Sequence, residues 1–417
     1  MDDIRMRRIR QVFDDRRIEN IDGALAAEFA RIGLQARLHP GMRIGITVGS
    51  RGIRNLQQII AAIIREVRSA GSEPFILPAM GSHGGATADG QVRLLAKYGI
   101  TEEALGVPIV SSMEVVALGK LPNGLQVYFD REAQAADGVI AVNRVKVHTA
   151  FKSDIESGLH KMLSVGLGNH QGASLVHALG VRGLQDYMVD FAKVILEKAP
   201  ILCGVGILEN AYDETCKLTA AWPAAFEQVD RELLRECKQI LPSLPVSELD
   251  VLLVEEIGKN ISGTGMDTNI VGGVKGFKPG EYTPPEIKRI VVLGLSPETR
   301  GNALGIGMAD LIPRRVRDQI DLEATYANTI TATFLDRAKI PMVADTALQA
   351  LDIALRTSWN LPGTTPRVIL IRNTLKLDEL YVSEPVWQEI RKHPQIQPAG
   401  DWEPLRFDAA GELLLKV

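Results

Sequence analysis

Four of the chain's seven histidines lie within a thirty-residue window that also contains a lysine. The histidines are His148, His160, His170 and His177, and they surround Lys161. Histidine is the commonest metal ligand in proteins and changes charge near neutral pH, so it can serve as a ligand, an acid or a base. The cluster therefore indicates an active site. The alternative is that some of these imidazoles only satisfy buried hydrogen bonds.

A further histidine, His83, lies in the glycine-rich segment PAMGSHGGAT, directly after a predicted strand. Glycines let a ligand approach the backbone closely, and Thr87 could cap the helix predicted to follow. This pattern favours a second part of the same site. A tight turn whose histidine faces water would give the same sequence.

Lys161 stands in ESGLHKMLSVGLG, an apolar and glycine-rich setting. A partly desolvated ammonium loses its proton more readily and becomes a nucleophile, so covalent attachment of a cofactor is one possible outcome. A lysine that lies along a helix surface would explain the same pattern.

Two cationic residues follow predicted strands in glycine-rich loops. Arg51, in ITVGSRGIRN, could bind a carboxylate through its planar guanidinium. Lys275 follows Asp267 in SGTGMDTNIVGGVKGF, so a cleft between two domains could receive positive charge from both sides. A solvated arginine and a glycine-rich surface loop are the alternatives.

Several common enzyme signatures are missing from the sequence. GLGNHQG lacks the third glycine of a dinucleotide-binding motif, and no Walker A, HExxH or GxSxG motif occurs. A zinc hydrolase that uses His83, His148 and His177 as ligands stays open.

Length and composition favour a two-domain protein of the cytoplasm. A chain of 417 residues exceeds what one core usually organises. A net charge of -4 produces no positive electrostatic field that would attract nucleic acid. No apolar stretch is long enough to cross a membrane. The three cysteines lack the spacing of a disulfide framework or a thiolate zinc site.

Short apolar runs alternate with helical patterns, which predicts an α/β fold of two domains with mainly parallel sheets and an active-site cleft between them. Strands are predicted at 43–48, 73–79, 137–145, 249–256, 289–295 and 367–373. The predicted domains are 1–245, with the histidines and Lys161, then 246–395, and a hairpin at 396–417 that could return to the first domain. Ligands bind at the carboxyl ends of parallel strands, and the strand at 137–145 leads directly into the histidine window.

Four segments together resemble the lactate racemase (LarA) family, whose enzymes carry a nickel-pincer nucleotide. The segments are TVGSRGIR, GSHGGAT, VKVHTAFKSDIESGLHKMLSVGLG followed by His177, and GMDTNIVGGVKGF. Each is weak alone, but the four occur in the same order and span most of the chain. The resemblance implies an isomerase, a racemase or epimerase that inverts C2 of a small 2-hydroxy acid.

The resemblance also implies roles for individual residues. Lys161 would be attached to the cofactor through a thioamide, and His177 would be the protein ligand of nickel, in a roughly planar site that suits Ni(II). His83 and His148 would be the acid/base pair. One of them would remove the hydroxyl proton while hydride passes to the pincer's pyridinium ring, giving a transient 2-keto acid.

Arg51 and Lys275 would bind the substrate. This chain departs from the lactate enzyme in two places: it is longer between His148 and Lys161, and Gly272 stands where that enzyme has a substrate-contacting glutamine. The smaller residue favours a larger hydroxy acid, such as a sugar acid, a dicarboxylate or an aryl-substituted acid. A non-catalytic protein that binds nickel or the cofactor, and an enzyme that stops at oxidation, are further alternatives.

Overall fold

The structure is a computed structural model that describes residues 4–50, 52–272, 285–361 and 363–417. Its contacts divide the chain into two compact units. The histidine unit is Asp14–Leu241, and the composite unit joins Met1–Phe13 to Pro242–Val417. No helix within the described residues is both long enough and apolar enough to span a membrane.

The strands of the described residues are β1 (Arg5–Gln11), β2 (Arg43–Val48), β3 (Glu73–Pro78), β4 (Val115–Lys120), β5 (Gln126–Asp130), β6 (Gly138–Arg144), β7 (Ile201–Glu209), β8 (Thr215–Ala221), β9 (Glu248–Val254), β10 (Glu286–Val292), β11 (Leu311–Pro313), β12 (Met342–Ala344), β13 (Val368–Ile371), β14 (Glu379–Ser383) and β15 (Ile396–Pro404).

The helices are α1 (Ile21–Ile32), α2 (Leu56–Ser69), α3 (Ala88–Ala96), α4 (Glu102–Leu105), α5 (Arg131–Gln134), α6 (Leu159–Lys161), α7 (Asn169–Ala178), α8 (Val181–Gln185), α9 (Met188–Lys198), α10 (Phe226–Ile240), α11 (Thr268–Val271), α12 (Arg314–Asp318), α13 (Leu322–Ala332), α14 (Ala347–Arg356) and α15 (Glu384–Ile390).

The histidine unit is built on a five-stranded sheet in the order β3-β2-β6-β7-β8. All neighbouring pairs are parallel except β7 and β8. Side chains alternate between two cores along a strand: Val139 and Ala141 face the core that includes α6, α9 and α10, whereas Ile140 and Val142 face α1 and α2. Because both faces are covered, the strands read as continuous apolar runs.

The composite unit has an eight-stranded sheet in the order β12-β11-β10-β9-β13-β14-β1-β15. The pairs from β12 to β13 are parallel, and the remaining pairs are antiparallel. The prediction of two α/β domains with mainly parallel sheets is therefore confirmed.

The division of the chain differs from the predicted ranges at both termini. β1 pairs with β14 and β15, so the first thirteen residues belong with the C-terminal part of the chain. β15 lies in that same unit rather than in the N-terminal one. β1 and β15 are placed in the sheet by hydrogen bonds to distant segments, and the sequence of a strand does not indicate which segment it will pair with. Near the C-terminus, Phe407 lies opposite Leu413 in an antiparallel bridge.

Candidate active site

The parallel strands of the histidine unit end at one edge of its sheet, and three loops begin there. The pairing of Val48 with Pro78 and of Ile46 with Ile140 aligns β2, β3 and β6. The loop after β2 contains Ser50, the loop after β3 contains His83, and the loop after β6 contains His148. Such an edge is the usual ligand site of an open α/β sheet.

His83 lies exposed in a turn that packs against the helical segment of Lys161. The amide of Gly81 donates to the carbonyl of Gly166 at 3.1 Å. Gly81 has φ +59°, and a Cβ on it would lie 2.9 Å from the Cβ of Ala173, so only glycine fits this approach. The Ser50 hydroxyl forms a hydrogen bond with Nδ1 of His83.

His148 begins a loop that folds around one buried carboxylate, that of Glu156, which is 0% exposed. Oε2 of Glu156 accepts the backbone N–H of His148 at 2.7 Å and faces Nζ of Lys152 at 3.5 Å. Oε1 pairs with Nζ of Lys238 on α10 at 2.9 Å. Nζ of Lys152 also donates to the carbonyl of His148 at 3.1 Å. The segment that follows His148 therefore forms a loop stabilised by charge.

The ring of His148 is itself held by its neighbours in this loop. Its Nδ1 accepts the backbone N–H of Ala150 at 3.1 Å. The buried ring of Phe151 lies 4.4 Å from it, centroid to centroid. The orientation of the imidazole is thus fixed by an amide and by packing.

The helical segment that carries Lys161 starts against a buried carboxylate from α10. Asp230 accepts the backbone N–H groups of Leu159 and His160, at 2.8 and 2.9 Å, and Nδ1 of His160 at 2.8 Å. Gly158 has φ +90°, and a Cβ there would lie 2.1 Å from an Asp230 oxygen. His160 is therefore a buried structural histidine that fixes the start of the segment.

Lys161 is followed by a π-helical turn, Met162–Gly166, and then by α7. π turns are rare in proteins, and those that do occur are often found at functional sites. Lys161 is half-buried.

His177 lies in the last turn of α7 and is exposed on one side. Desolvation by the atoms packed around the ring, and then the positive charge of Lys161, lower the pKa of His177 below 6.5. The Lys161 ammonium therefore lies close enough to His177 for its charge to act on the imidazole. A neutral imidazole at neutral pH has a free lone pair for a metal. His170 is exposed on the same helix, with Nδ1 3.4 Å from the Ser174 hydroxyl.

Asn169 is buried at the start of α7. It adopts φ +50°, and its amide donates to the carbonyl of Ser112 at 3.1 Å and to Asp130 at 2.7 Å. Burial raises the pKa of Asp130, against hydrogen bonds from Ala133 and Asn169 that lower it.

The residues that position the site were not predicted from the sequence as a group. Asp230 and Glu209 gave no local signal; Glu209 pairs with Arg144 and accepts the backbone N–H of Arg54 at 2.8 Å at the same sheet edge. Lys152 and Glu156 did give a local signal, because opposite charges four residues apart in a segment next to a buried strand can pair.

Arg51 and Lys275 lie outside the described residues, so their predicted roles stay predictions. Asp267 caps α11 by accepting the backbone N–H of Asn269 at 2.8 Å. Gly272 ends α11 with φ +72° and ψ -151°, a region that essentially only glycine enters. The backbone alone accounts for glycine at 272, so substrate size needs a direct test.

No group of three His, Cys, Asp or Glu side chains within the described ranges is arranged to hold a metal ion. The three-histidine zinc site of His83, His148 and His177 is therefore not formed. A metal that takes only one ligand from the protein requires no such group. The lowered pKa of His177 and the nearby amine of Lys161 fit that case.

Residues 4–181 match the family model of the lactate racemase N-terminal domain. The lactate racemase apoprotein from Thermoanaerobacterium thermosaccharolyticum aligns with a TM-score of 0.52 at 13% sequence identity, over 88% of this chain and 98% of that one. At this identity the alignment shows the fold alone. No curated protein matches the chain. The resemblance found in the sequence is confirmed over residues 4–181, the part of the chain that matches the lactate racemase N-terminal domain.

Proposed function

We propose that this protein is a racemase or epimerase that inverts C2 of a 2-hydroxy acid and uses a nickel-pincer nucleotide attached to Lys161. The observation that supports this most is that Lys161 and His177 lie on one helical segment, where burial and then the charge of the Lys161 amine lower the pKa of the His177 imidazole. The match of residues 4–181 to the lactate racemase N-terminal domain supports an isomerase. We also propose that it acts in the cytoplasm on a small molecule, with neither nucleic acid nor a membrane as partner.

In this proposal the Lys161 amine would hold the nucleotide through a thioamide, and the neutral imidazole of His177 would be the nickel ligand from the protein. When bound, the group would supply a hydride acceptor, so that a non-acidic C2–H bond can break. Glycines at 81 and 166 keep the backbone of the His83 turn close to the Lys161 segment.

The chain's own residues would bind the substrate and move its hydroxyl proton. His83 and His148 extend from neighbouring loops at the sheet edge, and each carries an imidazole suited to proton exchange near neutral pH. Arg51 and Lys275 would bind the carboxylate. A cleft between the two domains stays a prediction.

The test is to produce the protein together with pincer-synthesis enzymes and to measure intact mass, nickel content and inversion of a panel of 2-hydroxy acids. We expect added mass and nickel on the wild type, no added mass on Lys161→Ala, and added mass with little nickel on His177→Ala. His170→Ala is the matched control, because His170 is an exposed histidine of the same helix and should leave both measurements unchanged.

An unmodified Lys161 in such a preparation would overturn the proposal. Added mass and nickel without turnover of any hydroxy acid would favour the non-catalytic binding protein instead. Inversion of larger hydroxy acids but not of lactate would identify the substrate class suggested by Gly272.

A further inference from the structure

The exposed imidazole of His83 is bonded to a hydroxyl group on the neighbouring loop. Nδ1 of His83 forms a hydrogen bond with the side chain of Ser50, which follows β2. In a neutral imidazole one nitrogen carries the proton and the other a lone pair, and the hydrogen bond that one nitrogen makes decides which is which. What holds Ser50 in place therefore determines how His83 is oriented.

Ser50 is held by Tyr98, which follows α3. The Tyr98 hydroxyl donates to the backbone C=O of Ser50 at 3.0 Å. The Tyr98 ring packs on the core beneath α1 and α2, and a Cβ on Gly52 would lie 3.5 Å from its Cε1 atom. Further along the same loop, Glu209 accepts the backbone N–H of Arg54 at 2.8 Å. The loop of Ser50 is thus fixed on both sides by groups of the folded unit.

The turn of His83 is held by α3 itself. Gln91 on this helix is 0% exposed, and its Nε2 donates to the backbone C=O of Gly81 at 3.0 Å. A Cβ on Gly84 would lie 2.6 Å from the backbone nitrogen of Gln91, so the turn lies directly against the helix. One stretch of chain, α3 with Tyr98 after it, therefore positions both partners of the hydrogen bond between His83 and Ser50.

A hydroxyl group suits this position in both charge states of the ring. The oxygen of a serine can accept a hydrogen bond from an Nδ1–H group whether the imidazole is neutral or charged. When the proton of the neutral ring is on Nδ1, Nε2 has the lone pair that a base needs. When Nε2 takes a proton, the Nδ1–H group still donates to the same oxygen. The ring can gain and lose a proton without turning.

We propose that Ser50 and Tyr98 are positioning residues for His83: Tyr98 holds the backbone of Ser50, and the Ser50 hydroxyl accepts from Nδ1–H, so that Nε2 exchanges the proton of the substrate. This inference rests on the proposed function, in which His83 and His148 are the acid/base pair. In one direction of the inversion Nε2 of His83 takes the hydroxyl proton of the substrate, and in the reverse direction it returns a proton to that oxygen. His148 exchanges the proton of the opposite enantiomer.

The direct test is nitrogen-15 NMR of the histidine side chains in the full-length protein without the nucleotide. The His83 signals are identified by their loss in His83→Gln, and we expect the neutral wild-type ring to carry its proton on Nδ1. Ser50→Ala and Tyr98→Phe each remove a single hydroxyl, so the fold should persist. We expect the Nε2–H form, which histidine favours in water, to predominate in Ser50→Ala. Tyr98→Phe should give a mixture of the two forms.

Two further variants separate positioning from a general disturbance of the unit. Ser50→Thr keeps the hydroxyl and should keep the Nδ1–H form. Tyr187→Phe is the matched control for Tyr98→Phe, because it removes the hydroxyl of another half-buried tyrosine of the histidine unit, next to α9, and should leave the His83 signals unchanged.

A proton on Nε2 of the neutral wild-type ring would overturn the inference. Signals of His83 that do not change in Ser50→Ala would overturn the role of Ser50, and signals that do not change in Tyr98→Phe would overturn the role of Tyr98.

Turnover by the loaded enzyme provides a second readout. A base that is no longer held in place slows proton transfer and leaves substrate binding intact, so kcat should fall about tenfold in Tyr98→Phe and about 10–10²-fold in Ser50→Ala, with KM unchanged within about twofold. A higher KM at an unchanged kcat would mean that the loop acts on substrate binding, and it would contradict the inference. Because the NMR spectrum requires no turnover, a protein whose His83 signals respond as expected but that inverts no hydroxy acid would refute the proposed function and leave the positioning of His83 standing.

Discussion

The loop of His148 and the turn of His83 present the same side chain at the same sheet edge by different physical means. The loop closes around the buried charge of Glu156. The turn relies on glycines whose backbone packs directly on the segment of Lys161. Buried charge holds the loop of one imidazole, whereas backbone packing places the turn of the other.

The largest effect should come from removing the charge at the centre of the loop. Glu156→Ala leaves the buried ammonium of Lys152 without its carboxylate, which typically costs about 3–5 kcal/mol of unfolding free energy. Urea titration of both proteins would measure the difference.

The double variant Glu156→Ala with Lys152→Met removes the stranded charge as well. It should be more stable than the single variant, because a buried pair can be replaced by apolar groups at low cost. A loss below about 1 kcal/mol for Glu156→Ala would mean that the loop does not depend on this charge.

The second prediction concerns the turn, where two glycines have similar backbone angles but different surroundings. Gly81 has φ +59° and a Cβ on it would lie 3.0 Å from the carbonyl of Val165, whereas Gly85 has φ +70° with nothing within 4 Å of its added Cβ. Gly85→Ala should cost about 1 kcal/mol from backbone strain alone. Gly81→Ala should cost about 2–3 kcal/mol, because close contact adds to the same strain.

Unfolding free energies of the two variants, measured together, give the contribution of packing as their difference. Equal costs would show that the turn does not depend on its approach to the Lys161 segment, and the comparison between the two regions would fail at that point.

The comparison also shows what the sequence could and could not predict. β2, β3 and β6 were predicted within one or two residues, because strands buried on both faces are apolar runs bounded by turns. The glycines around His83 were visible for a similar reason, since only glycine permits that backbone.

The residues that hold the site were not predicted. Asp230 and Lys238 reach the site from α10, whose sequence is that of an ordinary amphipathic helix. Glu156 was within the motif that carried the family resemblance, yet its function depends on Lys238, which is distant in sequence. A pattern along the chain records burial and turns, but contacts between distant polar side chains leave no periodic signal.

The smallest predicted effect concerns a second buried carboxylate, which tests how a buried charge is held where no lysine pairs with it. Asp130 lies beneath the start of α7 and faces neutral donors, the amide of Asn169 and the backbone N–H of Ala133, rather than lysines. Burial is the largest cause of its shift and raises its pKa above 3.8.

The folded protein therefore holds the Asp130 proton at a pH where the unfolded chain has released it. Its contribution to stability is present in full below pH 3.8 and is lost as the pH rises through the raised pKa. Asp130→Asn cannot titrate, so the stability of the variant itself does not change with this ionisation. Its amide opposes that of Asn169, which should make the variant less stable than the wild type at low pH. We expect the unfolding free energy of the wild type, relative to Asp130→Asn, to decrease from pH 3.8 towards neutral pH in parallel urea titrations. An increase over that range would mean that Asp130 is stabilised as a carboxylate, in which case neutral amides would hold a buried charge here as lysines do at Glu156.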